Sequence, residues 1–238
     1  NELGDLSDGT VVTTDSLDID AIGDATIDAL GIAAAISASG AGGLAVGLSG
    51  SGVEAKNRIT GTTEARIRNS TATVTGGAVT VDAKETSDID ATLVSAAVSI
   101  SVGTAAVSLG MAITLAQNEA QGTTRATIDN ADVDAGSLAV TALGDSTISS
   151  TAVAASLSIA GGGVGLSGAG TGAVSQNLMS NFVAASIVGS DVDTTASGGV
   201  VVSATDQSDI DADVVSVSVS LAAAGGAAAG GWSHVRGG

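Results

Sequence analysis

The stretch VTVDAKETSDIDATLVSAAVSISVGTAAVSLGMAITLAQN, residues 79–118, decides the fold. In Val107-Ser108-Leu109-Gly110-Met111-Ala112-Ile113-Thr114-Leu115 every odd position is large and apolar and every even one is small. Val98-Ser99-Ile100-Ser101-Val102 alternates in the same way. Side chains two apart share one face of an extended chain, so a period of two is the mark of a strand. Ile32-Ala33-Ala34-Ala35-Ile36 suggests helix by propensity. Equivalent positions in other parts of the chain are Val-Ser alternations with frequent Gly, so strand is the preferred state. Around Leu93-Val94 the apolar set changes parity, which predicts a bulge or corner there.

The remainder of the chain repeats this stretch. The isoleucine of Ser87-Asp88-Ile89-Asp90-Ala91 recurs as Ile27, Ile89, Ile148 and Ile210, at spacings of 89−27 = 62, 148−89 = 59 and 210−148 = 62. Asn57, Asn118 and Asn177 follow at 61 and 59, and so do Ile67, Ile128 and Ile187. Three markers agreeing on a period near 60 point to an array whose units share one continuous core. The expected organisation is a single array and a fragment of a longer chain. The end of a preceding unit covers 1–16, and whole units cover 17–78, 79–137 and 138–199. A partial fourth covers 200–238. Length differences concentrate between Ile67 and Ala83, Ile128 and Ala142, and Ile187 and Ala204, so that segment is expected to be a loop on one edge of the stack.

The composition restricts the core. The 238 residues include 34 Gly, no Pro, Cys or Tyr, one Trp and one Phe. A core of Ala, Val, Ile, Leu, Gly and Ser has to pack close backbones over a long regular surface, as flat stacked sheets do. The expected class is therefore all-β. In a parallel β-solenoid equivalent residues stack about 4.8 Å apart, and each unit is one broad coil or about three coils of roughly 20 residues. The alternative is a stack of long antiparallel β-hairpins turning at Gly103-Thr104. The solenoid is preferred.

A net charge of −18 with seven basic residues argues against nucleic acid as a partner. The lack of Cys excludes disulfides and zinc–thiolate sites. No basic segment followed by an apolar run opens the chain, so no signal peptide is legible.

Gly163-Val164-Gly165-Leu166-Ser167-Gly168-Ala169-Gly170, Ala173-Val174-Ser175-Gln176-Asn177 and Gly198-Gly199-Val200-Val201-Val202-Ser203-Ala204 resemble the repeat arrays of giant bacterial surface adhesins, the filamentous-haemagglutinin-like and autotransporter-like proteins. The resemblance runs from about Leu17 to Gly231 and rests on Ala, Gly, Ser and Val. It implies a β-helical stalk, secretion to the cell surface or the extracellular space, and attachment to a host or cell-surface ligand or assembly into a fibre. The chain departs from that group in lacking a Gly-Gly-x-Gly-x-Asp calcium repeat.

No residues group into a catalytic or cofactor-binding constellation, and the chain is not expected to be an enzyme. The Asn57, Asn118, Asn177 row is expected to form a structural amide ladder, with the stacked Ile27, Ile89, Ile148 and Ile210 as its apolar counterpart. Asp18/Asp20, Asp88/Asp90, Asp209/Asp211, Asp132/Asp134 and Asp191/Asp193 each place two carboxylates on one strand face, which would suit calcium. Solvated acidic edges explain them better, because Ser149 stands where Asp90 would recur. His234 beside Trp232 has no partner nucleophile and is read as a junction feature. Lys56, Arg58, Arg66 and Arg68 are expected to pair with acids of adjacent coils. The function expected is a structural or adhesive segment that self-associates into a homo-oligomer or filament. The alternative is a membrane-inserting hairpin protein, apolar at its tips and polar at its base. A polysaccharide-acting enzyme ranks third, for want of basic residues to hold an acidic substrate.

Overall fold

The computed structural model describes residues 3–7, 9–195, 198–225 and 229–237. The elements are β1 (Leu3–Ser7), β2 (Val11–Thr14), β3 (Leu17–Gly40), β4 (Leu44–Arg68), β5 (Thr71–Val74), β6 (Ala78–Asp129), β7 (Asp132–Ala135), β8 (Ser137–Val188), β9 (Asp191–Thr194), β10 (Val200–Asp206), β11 (Asp209–Ala224) and β12 (Ala229–Gly237). The described residues contain no helix.

Every ladder is parallel, and its register gives the pitch. Leu17 pairs with Val79, 62 residues on; Leu44 pairs with Ala105, 61 on; Val79 pairs with Leu138, 59 on; Thr147 pairs with Asp209, 62 on. The chain is a parallel β-solenoid that takes one turn per roughly 60 residues, a single broad coil rather than three short ones. Ile27, Ile89, Ile148 and Ile210 are successive ladder partners. β1 and β2 pair with β4 and β5, so the opening residues complete the turn before the first full rung.

Each rung is a closed base that narrows into a long blade. At the base, the start of β6 (Val79, Val81, Ala83) and its end (Ala126, Ile128) meet the short strand β7 (Ala131, Val133, Ala135) around a dry triangular core. The four short strands form a second sheet, in the order β2-β5-β7-β9. This corrects the expectation of a loop over the variable segment. Thr71–Val74, Asp132–Ala135 and Asp191–Thr194 are strands, and Val74 and Val133 are buried in the core.

Beyond the base the two legs of β6 face each other as far as the turn at Gly103-Thr104. The hairpin alternative located that turn but not the bonding. The legs touch through side chains, Ser99 Oγ to Ser108 Oγ at 2.8 Å and Ser95 Oγ to Thr114 Oγ1 at 2.8 Å. Their backbone hydrogen bonds run to the rungs above and below. Small residues let the legs come close: a Cβ on Gly165 would lie 2.8 Å from the carbonyl oxygen of Ala223. Ala97, Ala112, Ala152, Ala154 and Ala173 fill the seam.

The corner expected at Leu93-Val94 is absent, and β6 runs through it unbroken. What changes there is where the large residues point. Inward positions stay odd from Val79 through Ser101, but up to Leu93 the large apolar residues Val79, Val81, Ile89 and Leu93 are among them, and beyond it they hold only Ser and Ala. From Val94 onward the large side chains occupy the outward positions instead. The parity of the apolar set flips while the pleat does not.

Candidate functional site

The inward polar row is continuous. Asn57 Nδ2 donates to Asn118 Oδ1 at 2.8 Å, and Asn118 Nδ2 donates to Asn177 Oδ1 at 2.8 Å. Asn177 Nδ2 in turn donates to Ser175 Oγ. Asn118 is buried, and its amide is spent on its two neighbours in the row. Ile89 and Ile148 pack just below it with Ile59 and Ala120, while Ile27 is half-buried and Ile210, on the last rung, is exposed.

A second amide row marks a corner of the base. Asn69 and Asn130 have φ of 49° and 47°, and Gly9 and Gly189 have φ of 83° and 60°. Asn130 Nδ2 donates to Asn69 Oδ1 at 2.8 Å. Residues able to adopt the left-handed region therefore recur at 69−9 = 60, 130−69 = 61 and 189−130 = 59, a fourth periodic marker that sequence reasoning missed. Searching for Asn or Gly at the common period would have found it.

The charged groups are arranged along the base and the blade root. Arg66 pairs with Asp5 of the preceding turn at 2.9 Å, Arg58 with Glu119 of the next rung at 3.4 Å, and Lys56 with Glu54 of its own strand at 3.0 Å. Glu85 is buried where it accepts from Thr63 Oγ1 at 2.5 Å. It fits because its ladder neighbours are Gly23 and Gly144. The aspartate pairs lie on exposed strand faces, with Asp132 beside Asp191 and Asp134 beside Asp193. Threonine hydroxyls bridge two others, Thr80 to Asp18 and Thr141 to Asp82. Among the described residues no three acidic or histidine side chains gather as a metal would need. His234 lies in β12 with its backbone beside Gly170; its side chain, like that of Trp232, is outside the described residues.

The feature that sets this solenoid apart is its blade. On the middle rung, which has a neighbour on both sides, Val102, Leu109, Met111 and Ile113 remain 57, 42, 48 and 54 % exposed. Ile32 and Ile36 of β3, Val164 and Leu166 of β8, and Val215, Val217 and Val219 of β11 are exposed likewise. Inside the same blade lie Ser95, Ser99, Ser101, Ser108 and Thr114. Ser101 Oγ donates to Val107 O, and Ser108 Oγ donates to Ser99 O. Ser49, Ser51, Ser156, Ser158 and Ser167 add buried hydroxyls with no partner among the described residues. Large apolar groups outside and small polar groups inside invert the usual arrangement of a soluble sheet pair. No Asp, Glu, Lys or Arg occurs in residues 29–53, 91–118 or 146–190, so the blade is uncharged on three successive rungs.

Comparison with protein-family models, with curated proteins and with solved structures finds no match for this chain.

Proposed function

We propose that the chain is a structural and adhesive segment of a secreted bacterial surface protein, stacking end to end into a stalk or extracellular fibre. The observation that supports this reading is the in-register stacking of like on like along the array, from Ile27 through Ile89 and Ile148 to Ile210. All 24 residues of β3 bond on one side only, to β6, and no other strand among the described residues pairs with them. At the far end β11 bonds only to β8. A long, flat, in-register edge is a template for another strand. A rung stacked on either edge, of a neighbouring unit or of a second copy, meets the same register that already joins rungs inside the array. The adhesive role, the extracellular or cell-surface location and a host or cell-surface ligand come from the resemblance to adhesin repeats. The reading involves no catalysis and no nucleic acid.

Negative-stain images and sedimentation of the purified chain test it. Rods longer than one copy, lengthening with protein concentration, are the expected result. Compact single copies at every concentration would remove the fibre reading.

A further inference from the structure

The outward faces of the blade call for an occupant, and their dimensions select one. From Val94 to Val102 and from Val107 to Leu115 each leg presents nine residues of apolar strand, about 30 Å at the usual rise. The hydrocarbon layer of a bilayer is about 30 Å thick. On the first two full rungs charge begins near the root, with Asp28 and Asp90 on the first legs and Glu54, Lys56, Arg58 and Glu119 on the second; on the third the second leg carries none before Asp191.

Both faces of the blade are apolar, and so is the turn between them. A second copy covers one face at a time, and repeated face-to-face contacts would grow sideways without closing. A fluid apolar medium covers both faces and the tip together.

On the inner rungs the backbone approaches the condition that hydrocarbon imposes, that N–H and C=O groups be bonded within the protein, because β6 pairs with β3 and β4 on one side and with β8 on the other. Even at the turn, Ala41 N–H donates to Val102 O, Ala105 N–H to Gly43 O and Thr104 Oγ1 to Gly42 O. Gly225 N–H donates to Gly162 O one rung further on. Apolar outside and polar inside is the alternation of sheets that live in lipid.

We infer that the blade is a lipid-inserting keel: the solenoid lies along a membrane with its axis in the plane, and the Val94–Leu115 blades enter the acyl chains tip first. The occupant is bilayer hydrocarbon, bound by apolar contact without headgroup recognition. The base, with its aspartates, stays in water. The edge strands β3 and β11 are covered in lipid by whatever rung stacks on them, of a neighbouring unit or of a second copy, so in that respect the inference rests on the stacking part of the proposed function. The two fail separately. Fibres that ignore vesicles retire the keel alone, and vesicle-bound chain that never lengthens retires the fibre alone.

The absence of native cysteine makes the test clean. Leu109→Cys on the blade and Asp134→Cys on the base are each labelled with an environment-sensitive fluorophore and mixed with phosphatidylcholine vesicles. The expected result is co-flotation, with a blue shift at position 109 that brominated acyl chains quench and no change at position 134. The double variant Leu109→Asp/Ile113→Asp, folded by circular dichroism, should lower the vesicle-bound fraction at least tenfold. Should that variant not fold, the contrast between the two labels decides. A label at 109 that stays in water, or one that shifts without vesicles as the chain dimerises, overturns the proposal; the second outcome assigns the faces to another copy.

Discussion

At the residue scale the structure depends on a few polar side chains whose partners are their own equivalents one rung away. Asn118 is the clearest, since it donates to Asn177 and accepts from Asn57 while almost fully buried. Removing it strands an amide on each side. Asn118→Ala is expected to lower unfolding free energy by about 1–2 kcal/mol, measured by urea titration; an unchanged midpoint would mean that the ladder contributes nothing. The corner asparagine makes a conformational rather than a pairing argument. At Asn130, with φ of 47°, a β-branched side chain meets its own backbone, so Asn130→Val should cost on the order of 1–2 kcal/mol whereas Asn130→Gly should cost little. Equal losses for the two variants would show that the amide bond to Asn69, not the backbone angle, is what matters there. The Asn57 row could be read from the sequence because identical residues recurred on one period. The Asn69 row shows only when Asn and Gly are sought together, because the corner accepts Gly at 9 and 189 and Asn at 69 and 130, and the shared property is a backbone angle rather than a residue type.

At the scale of the element, the blade is set by how closely two strands can approach. Gly165 points inward, and an added methyl would meet the Ala223 carbonyl at 2.8 Å and that of Ala160 at 3.1 Å. Gly170, five residues further on, has nothing within 4 Å of such a methyl. Gly165→Ala should therefore destabilise by about 1–3 kcal/mol through overpacking, while Gly170→Ala should be neutral or gain up to about 1 kcal/mol through reduced freedom of the unfolded chain. Thermal melts of the pair check this, and a larger loss at 170 would reverse the assignment of inner and outer faces. Strand identity was legible from the alternation of Val107 to Leu115, which has no helical explanation. The direction of the large residues was not. A change of parity at Leu93-Val94 can arise from a bulge in the backbone or from an exchange of which face is apolar, and the two give the same sequence. Burial separates them, because Leu93 and Ser95 are both fully enclosed on one uninterrupted strand. The short strands of the base were hidden for another reason: Thr71-Ala72-Thr73-Val74 has only two turns of the pleat and follows directly on a turn.

Across the whole molecule, stacking places like over like, and for the aspartates that is unfavourable. Asp20 lies beside Asp82, Asp28 beside Asp90 and Asp132 beside Asp191, within a chain of net charge −18. Joining two copies in the same register brings Asp28 of one beside Asp211 of the other, between two acidic chains, and adds repulsion that salt screens. Raising the salt from about 10 mM to about 150 mM shortens the Debye length from about 30 Å to about 8 Å, so fibres should lengthen with salt when followed by light scattering. Shortening would mean that ion pairs such as Arg66–Asp5 dominate the junction instead. The solenoid itself was legible, since in-register parallel pairing turns a period in sequence into a column in space. The number of coils per period was not, because sequence records the interval between equivalent residues and not how often the chain bends within it.

One turn per roughly 60 residues also has a mechanical meaning. Nearly all backbone bonds in this molecule lie along its stacking axis, between one rung and the next. A pull along that axis loads them one after another, like a zip, instead of loading many together. Each rung that peels away frees about 60 residues, or some ~200 Å of slack chain, while the remaining rungs keep their own neighbours. A stack of this design yields in long, even increments under load.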